Sequence, residues 1–431
     1  MRRLHVLHVI GGGDTGGAMT HLLPLLSALE RADCDVHLLC LGEGGLAEAA
    51  SHRGLSVFVL PMANAWDPRV LVPLRRLLAG GPAALAALRA GETAGPAAGS
   101  SQARMDAPRP GTARDAMAAH GAAGHGAPTR WDVVHTHGMR ANQPVRLAVR
   151  GRRRRPCVVA TVHSDLRSDY ASPHLVRLYL GLDRVTLSSV DAVICVSDGL
   201  RALLVARGYP AERLITVRSG IEWLEAAAQP PETAAAAEPA RGPRVGTVAR
   251  LVPVKDVGLL LEVVALLRRT IPEIEAVVVG DGPERARLHA QAVALGLEGV
   301  VRFAGRLADV RPMLAEMDVY LVTSVFEGGV SMSVLEAMAA GVPVVTTAAG
   351  GVAEAVKDGD TGFVVVRDRE RGALAAALAE RAAALLTDAE LRARMGAAGA
   401  RRVHEQFLVE RAAAATLRAY RRCLAARGEL L

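Results

Sequence analysis

The chain has 431 residues, of which 51% are hydrophobic and 22% charged. This composition is typical of a globular protein, and at roughly 100–200 residues per domain the length favours two domains. Aromatic residues make up only 3%, which argues against a single-strand nucleic-acid binder, because such proteins stack bases on aromatic rings. Five cysteines without a CxxC pair indicate buried thiols in a reducing compartment. No stretch reaches the about 18 apolar residues of a membrane span.

The net charge is +7, and Arg152–Arg155 form an unbroken basic run. A charge run is usually a solvated surface, but it also favours attraction to phosphate groups of a nucleotide, an anionic lipid surface or a nucleic acid. The N-terminal MRRLHVLHVI is basic and then apolar, like a signal peptide. It lacks a small-residue cleavage site, so we predict a first buried strand of a cytosolic protein.

Short apolar runs alternate with helical patterns along the chain, which predicts α/β layers built on parallel sheets. A strand over Leu4–Ile10 is followed by glycines and then by a helical pattern over 18–29. Further strands are predicted in the first half at 36–41, 55–60, 131–138, 157–164 and 191–197. Those in the second half are predicted at 244–250, 275–282, 300–305, 318–324 and 342–347.

Two segments of low complexity divide the chain. Residues 79–130 are rich in Ala, Gly and Pro, and we predict a disordered insertion there. Residues 224–243 form a Pro/Ala-rich linker. This predicts an N-terminal domain over 1–223, a C-terminal domain over 244–404, and a basic amphipathic helix over 405–431 that could pack back on the N-terminal domain. Ligands commonly bind in the cleft between two such domains.

The glycine-rich loop after the first strand is a candidate phosphate site. Gly11, Gly13 and Gly16 fit G-x-G-x-x-G between a strand and a helix, where backbone amides suit a phosphate. A tight turn without a ligand fits the same glycines. The acidic residue that should end the second strand in a dinucleotide site is absent, so an NAD-dependent oxidoreductase would depend on the glycines alone.

Charged residues follow several strands of the second half. Arg250 and Lys255 could clamp a diphosphate, although an isolated pair of cations is more often solvated. Glu336 follows the loop at 323–331 on a helix whose N-terminus could receive a phosphate, and its carboxylate could accept hydrogen bonds from ribose hydroxyls. Ser333 and Glu336 also have capping-box spacing, so Glu336 could instead cap its own helix. Glu354, in the first turn of the next predicted helix, leaves the same two interpretations open.

Two histidines end the strand at 131–138. We expect His135 and His137 to point to opposite faces, and the sequence offers no third ligand, so a structural pair is favoured over a metal site. Asp358 and Asp360 form a lone D-x-D pattern in a glycine-rich turn. We predict no metal at either place.

Nine segments in order resemble the family 4 glycosyltransferases of the GT-B fold, which move a sugar from a nucleotide donor. They are GDTGGAMTHLLPLL, DVVHTHG, ATVHS, DAVICVSDGL, ARLVPVKD, VVVGDGPE, FEGGVSMSVLEAMAAGVPVV, GGVAEAV and DGDTGFVV. The resemblance covers nearly the whole chain apart from the insertion and the linker. It implies two Rossmann-like doubly wound domains facing across a cleft, and a retaining transfer without a metal or other cofactor.

The resemblance also implies which residues bind the donor nucleotide. Gly16 and Gly17 lie on the loop that closes over the donor phosphate and the acceptor. Arg250 and Lys255 match the cations that hold the pyrophosphate, and Glu336 matches the acid that binds the ribose hydroxyls. Further donor contacts are implied at Gly282, Gly328, Gly329, Val330 and Ser331.

Two residues are implied as catalytic, near the transferred sugar. His163 matches the histidine of ATVHS, and Glu327 resembles the first acid of the family's Glu-x7-Glu pattern. Eight residues rather than seven separate Glu327 from Glu336. Either an extra glycine bulges the loop and Glu327 still reaches the sugar, or Gly328 occupies the position of that acid.

We therefore expect a retaining glycosyltransferase with a nucleotide-sugar donor and a sugar, polysaccharide or lipid-linked acceptor, acting in cell-surface polysaccharide or glycolipid synthesis. We expect it in the cytoplasm, with peripheral contact to the inner membrane face as an option and without a nucleic-acid partner. A GT-B-like sugar-nucleotide epimerase would release epimerised sugar without an acceptor. A non-catalytic nucleotide-sugar-binding subunit would bind the donor without turnover.

Overall fold

The structure, a computed structural model, describes residues 2–12, 17–64, 67–89, 130–169, 172–223 and 242–429. Most of the predicted insertion, residues 90–129, and most of the predicted linker, residues 224–241, lie outside the described residues. The described chain forms two parallel sheets, of seven and six strands, with helices on both faces of each. The predicted doubly wound α/β class is confirmed.

The first sheet has the strand order β3-β2-β1-β4-β5-β6-β7. Its strands are β1 (Leu4–Ile10), β2 (Cys34–Cys40), β3 (Ser56–Val59), β4 (Val133–His137), β5 (Cys157–Val162), β6 (Ala192–Cys195) and β7 (Leu214–Thr216). The helices of this half are α1 (Gly17–Arg31), α2 (Gly45–His52), α3 (Leu71–Arg89), α4 (Met139–Val149), α5 (Leu166–Asp169), α6 (Pro173–Thr186) and α7 (Asp198–Ala206). Apolar residues predominate in most of these strands, because helices cover both faces of the sheet.

The second sheet has the order β10-β9-β8-β11-β12-β13. Its strands are β8 (Arg244–Val248), β9 (Glu275–Val279), β10 (Val301–Gly305), β11 (Val319–Val322), β12 (Val344–Thr347) and β13 (Gly362–Val365). Its helices are α8 (Val257–Thr270), α9 (Arg285–Ala294), α10 (Arg311–Ala315), α11 (Met332–Ala339), α12 (Val352–Ala355), α13 (Arg371–Thr387) and α14 (Ala389–Gln406). The strand order reverses between β1 and β4 and between β8 and β11, which are the points where doubly wound sheets bind ligands.

The last helix, α15 (Val409–Ala426), returns to the first sheet. Its apolar face, including Tyr420 and Leu424, is buried with β1, β2 and α1 in one hydrophobic cluster. The returning chain runs beside the outgoing one, where the amide of Ile221 donates to the carbonyl of Phe407 at 2.9 Å. Among the described residues, no helix has the length and apolarity that crossing a bilayer requires.

Helix α3 differs from the sequence-based prediction, which placed a disordered insertion from residue 79. The structure keeps residues 79–89 helical, with a kink at Gly81, where φ is 63°. Leu85 is buried in the same cluster as Leu74 on the earlier turns. An alanine-rich composition is typical of low-complexity segments, but alanine and leucine are also the strongest helix formers, and the burial of Leu85 anchors these turns in the core.

Because α15 completes the core of the first half, truncating a buried side chain on it should destabilise that half. We expect Leu424→Ala to lower the free energy of unfolding by about 2–5 kcal/mol, the range for a buried leucine. Urea unfolding followed by circular dichroism measures this, with Arg418→Ala on the exposed side of the same helix as the control. Equal unfolding midpoints for the two variants would contradict the packing role of α15.

Candidate functional site

The two halves touch where a glycine pair follows β11. The Ser197 hydroxyl donates a hydrogen bond to the carbonyl of Gly328 at 2.6 Å. A Cβ added to Gly328 would lie 2.1 Å from the carbonyl oxygen of His163, and one added to Gly329 would lie 2.7 Å from Val196 Cγ2. Glycine is therefore required at both positions for this contact. It brings His163 of the first half against the loop that carries Glu327.

Lys255 and Glu327 form an ion pair at the carboxyl end of the second sheet. Lys255 Nζ lies 2.5 Å from Glu327 Oε1, and the Ser324 hydroxyl donates to the same oxygen at 2.6 Å. Both charged side chains are less than one-fifth exposed, so the pair is little screened by solvent. A phosphate entering here would share or replace Glu327 as the partner of Lys255.

Arg250 and Gly282 lie on neighbouring loops of this edge. Arg250 is exposed, and its side chain makes no ion pair with another described residue. A Cβ on Gly282 would lie 2.4 Å from the carbonyl oxygen of Leu251, so the absence of a side chain lets the turn after β9 pack on the loop of Arg250. Gly16 lies outside the described residues, and Gly17 is the first residue of α1.

Glu336 lies on α11 beyond its first turn, which rules out the capping-box alternative. The N-cap residue is Ser331 rather than Ser333, and the two hydroxyls lie 3.0 Å apart. Burial raises the pKa of the Glu336 carboxyl to about 7, with Asp309 raising it further and Arg311 opposing. No described residue hydrogen-bonds to this carboxylate. It is a half-buried acceptor that has no hydrogen-bond partner among the described residues, six positions after the buried Val330.

The side chain of Glu354 does not cap its own helix, and both of its carboxylate oxygens already accept hydrogen bonds that a ribose would have to replace. Its Oε1 accepts a hydrogen bond from the amide of Gly199 at 3.1 Å, and its Oε2 accepts one from Arg218 Nε at 2.7 Å. Both partners belong to the first half. The carboxylate thus joins the second half to the N-terminus of α7, where a negative charge is favoured by the helix dipole.

The two histidines of β4 share one face of the strand, so the expectation that they diverge is wrong. Positions two apart in a strand point to the same side, and the ring centroids of His135 and His137 lie 4.3 Å apart. His8 of β1 is their neighbour, with centroids 4.9 and 5.3 Å away. One nitrogen from each of the three rings lies within 4.8 Å of the others. His8 is therefore a third potential metal ligand, which the sequence analysis did not identify.

His163 follows β5 and adjoins this cluster. Its Nε2 lies 3.4 Å from His137 Nδ1, and the ring of His21 on α1 meets it edge-on at 5.5 Å. Burial lowers the pKa of His163 to about 4 and that of His21 to about 3, so both rings are neutral at physiological pH. His21 Nδ1 is buried and has no hydrogen-bond partner among the described residues.

Sequence reasoning missed His8 and His21. The register of β1 and β4 sets His8 directly opposite His135, which the adjacency of the first and fourth strands of a doubly wound sheet could have indicated. His21 carries no comparable signal, because its proximity to His163 depends on how α1 crosses the sheet.

Two family models match the chain. One is described as a glycosyl transferase 4-like domain and covers residues 16–220, and the other, glycosyl transferases group 1, covers 230–402. The chain is 32% identical over 320 residues to D-inositol 3-phosphate glycosyltransferase of Kribbella flavida, covering 68% of this chain and 72% of the relative. It is 35% identical over 180 residues to the lipopolysaccharide core biosynthesis glycosyltransferase LpsE of Rhizobium meliloti. That match covers 41% of this chain and spans half the length of LpsE.

Solved structures share the architecture. Anabaena HepE in complex with UDP-glucose matches 99% of this chain and all of its own, with a TM-score of 0.69 and 19% identity. Sucrose-phosphate synthase from Thermosynechococcus elongatus matches 98% of this chain and all of its own, with a TM-score of 0.68 and 20% identity. At these identities the likeness shows the GT-B fold alone. Together with the two family models and the K. flavida relative, it establishes that the chain belongs to the family 4 glycosyltransferases.

Proposed function

We propose that the protein transfers a sugar, with retention, from a nucleoside-diphosphate sugar to a sugar, polysaccharide or lipid-linked acceptor. The observation that carries the proposal is the Glu336 carboxylate, which accepts no hydrogen bond from a described residue and lies on the helix that follows β11, the strand next to the one that precedes Arg250 and Lys255. Since β8 and β11 are neighbours at the point where the strand order reverses, one nucleotide can reach both. The relatives named above are transferases or synthases, which favours transfer over the epimerase alternative.

The donor nucleotide binds along the carboxyl edge of the second sheet in this proposal. Glu336 accepts hydrogen bonds from the ribose hydroxyls, and Arg250 and Lys255 hold the diphosphate, with Gly282 and the segment 328–331 lining the pocket. The HepE structure contains UDP-glucose, so UDP is the first nucleotide to test. Gly16 and Gly17 would close over the donor from the first half.

The chemistry follows from where charge develops. The bond between the anomeric carbon and the diphosphate breaks, and the bond to the acceptor oxygen forms on the same face of the sugar. Lys255, Arg250 and the N-terminus of α11 stabilise the leaving diphosphate, whose oxygen takes the acceptor's proton. His163 and Glu327 contact the sugar, and closure of the two halves excludes water, which would otherwise compete as acceptor.

A nucleotide screen tests the donor site. We expect one of UDP, GDP and ADP, but not NAD, to raise the melting temperature, because a ligand at about 100 times its Kd adds roughly 2.7 kcal/mol to the folded state. Glu336→Ala should abolish the shift, and Glu298→Ala, at an exposed glutamate of the same half, should keep it. A shift with NAD alone, or a shift that survives Glu336→Ala, would refute the proposed site.

The raised pKa of Glu336 predicts that nucleotide binding depends on pH. The carboxyl is protonated below about pH 7 and then loses acceptor capacity toward the ribose. If the ionised form alone binds, the Kd for UDP should rise about ten-fold between pH 8 and pH 6. The terminal phosphate of UDP also titrates near pH 6, so calorimetry on Glu336→Gln gives the reference. An identical pH profile for the variant and the wild type would contradict this role.

We infer that one face of the first half contacts an anionic membrane, where a lipid-linked acceptor would be presented. Helix α6 exposes Leu175, Leu178 and Val185 by 43%, 54% and 57%, a spacing that aligns them along one side of the helix. Helices α3 and α6 both pack beside α4, and their exposed faces also carry basic side chains, namely Arg75, Arg76, Arg177 and Arg184.

This face has little negative charge to oppose a lipid headgroup. Residues 68–89, 139–156 and 173–186 contain one acidic residue, Asp183, which is buried in an ion pair with Arg146. Arg152, Arg153 and Arg154 adjoin the same surface, since Arg152 donates to the carbonyl of Arg75 at 3.1 Å, whereas Arg155 pairs with Asp191. Apolar side chains set among cations are the pattern of an interfacial helix.

Vesicle sedimentation tests the membrane contact. We expect the protein to bind mixed vesicles of phosphatidylcholine and phosphatidylglycerol, and to bind them less at high salt. It should not bind vesicles of pure phosphatidylcholine. The double variant L175S/L178S should lose most of this binding, whereas Val293→Ser, at an exposed apolar residue of the second half, should retain it. Equal sedimentation of the two variants would place the contact elsewhere on the protein.

A further inference from the structure

A continuous chain of hydrogen bonds leads from His163 into the core of the first half. It joins side chains from β1, β4, β5 and α15 and the loop after β5. In order, its members are His163, His137, His8, Tyr420, His135 and Thr161. Apart from His163, every member is less than one-twentieth exposed. These are contacts of buried groups, without competition from solvent.

The first links connect three imidazoles. His137 Nδ1 lies 3.4 Å from His163 Nε2, and His137 Nε2 lies 3.0 Å from His8 Nδ1. His137 therefore uses both ring nitrogens within the chain. The His163 end leaves Nδ1 for another partner.

The remaining links pass through two hydroxyls. The Tyr420 hydroxyl lies 3.3 Å from His8 Nε2 and 2.7 Å from His135 Nδ1. His135 Nε2 lies 2.6 Å from Thr161 Oγ1. Each ring nitrogen between His163 and Thr161 thus has one partner.

The imidazole rings in this series of hydrogen bonds are neutral. Burial lowers the pKa of His8 to about 3 and those of His135 and His137 well below the ordinary value. A neutral imidazole donates from one nitrogen and accepts at the other. Once it is known which partner donates in one of these hydrogen bonds, the donor and the acceptor in every other hydrogen bond of the series follow.

Thr161 determines which partner donates. Its hydroxyl is buried, and His135 Nε2 is its one hydrogen-bond partner among the described residues. If Thr161 accepted from His135, its own proton would be left buried without an acceptor, which costs about 1–3 kcal/mol. Thr161 therefore donates, and the protons point toward His163. His135 Nδ1 donates to Tyr420, whose hydroxyl donates to His8.

We infer that this chain holds His163 in the tautomer protonated on Nδ1, with Nε2 accepting from His137. His137, His8 and Tyr420 are then positioning residues that present the His163 Nδ1–H to the donor sugar as a hydrogen-bond donor. This second part rests on the proposed function, whereas the tautomer itself does not. The inference also gives α15 a part in the site, because the hydroxyl of Tyr420 joins His8 to His135 in the series of hydrogen bonds.

The same histidines could be considered as a metal site, since His8, His135 and His137 each offer a nitrogen within 4.8 Å of the others. Their contacts argue otherwise. Both nitrogens of His135 are engaged by hydroxyls, and His8 and His137 are separated by an ordinary hydrogen-bond distance. A metal would take the lone pairs that accept hydrogen bonds in the chain. Stoichiometric zinc or nickel in the purified protein, lost in His8→Leu, would overturn the inference.

Nitrogen NMR of protein labelled with 15N-histidine reads the tautomer directly, and the signals of His163 are those that His163→Gln removes. We expect a protonated Nδ1 and an unprotonated Nε2, opposite to the tautomer that imidazole side chains prefer in water. His137→Leu should return His163 toward the solution tautomer. His137→Asn should preserve the Nδ1–H form, because its amide can still donate to Nε2. A wild-type His163 protonated on Nε2, or one unchanged by His137→Leu, would overturn the inference.

Turnover provides the second readout, with UDP release from UDP-glucose in water as the probe. We expect His137→Leu to lower kcat about 10- to 100-fold with little change in KM, and His137→Asn to restore part of it. His52→Leu, at an exposed histidine of α2, is the matched control for loss of a histidine. Full activity of His163→Ala would refute the proposed role of His163 and leave the NMR result standing, so the two failures are distinguishable.

Discussion

The return of α15 to the first sheet is the packing interaction on which the arrangement of this protein most depends. The helix packs into the core of the first half along its length, from Val409 to Leu424. The chain passes between the halves twice, and the two crossings lie side by side at Ile221 and Phe407. The same helix carries Tyr420 to the histidines of β1 and β4, so the packing that joins the halves also completes the polar interior next to His163.

Electrostatics divides the site into a neutral part and a charged part. On the side of the first half, buried imidazoles carry no charge, because their pKa values are lowered by desolvation. On the side of the second half lie Lys255, Glu327 and Glu336. In the proposed reaction the sugar would lie next to the neutral imidazoles and the diphosphate next to Lys255, where charge develops on the phosphate side of the breaking bond.

Sequence reasoning succeeds here where a local pattern has one structural solution. Buried strands bounded by glycine turns, such as Leu4–Ile10 and the run ending at Val279, are predicted because continuous apolar runs of that length fit a covered parallel sheet. It fails where the outcome depends on tertiary contacts. The partner of Glu354 is Arg218 of the other half, and no spacing within the motif indicates it. Ser333 has the spacing of a cap, but the helix begins at Met332, two residues before the start that a cap at Ser333 would give.

The extra residue between Glu327 and Glu336 has a consequence for how a donor would enter. The glycine pair at 328 and 329 fits the tight contact with His163 and Val196, while the Glu327 carboxylate turns to Lys255 and Ser324. Leaving a buried lysine unpaired is costly, so Glu327 keeps Lys255 oriented until a phosphate arrives. In the proposed function, the carboxylate would then repel that phosphate unless it moved, and movement toward the sugar would relieve the repulsion and supply a hydrogen-bond acceptor there. If the proposed donor site is right, the position of Glu327 therefore depends on whether the diphosphate is bound.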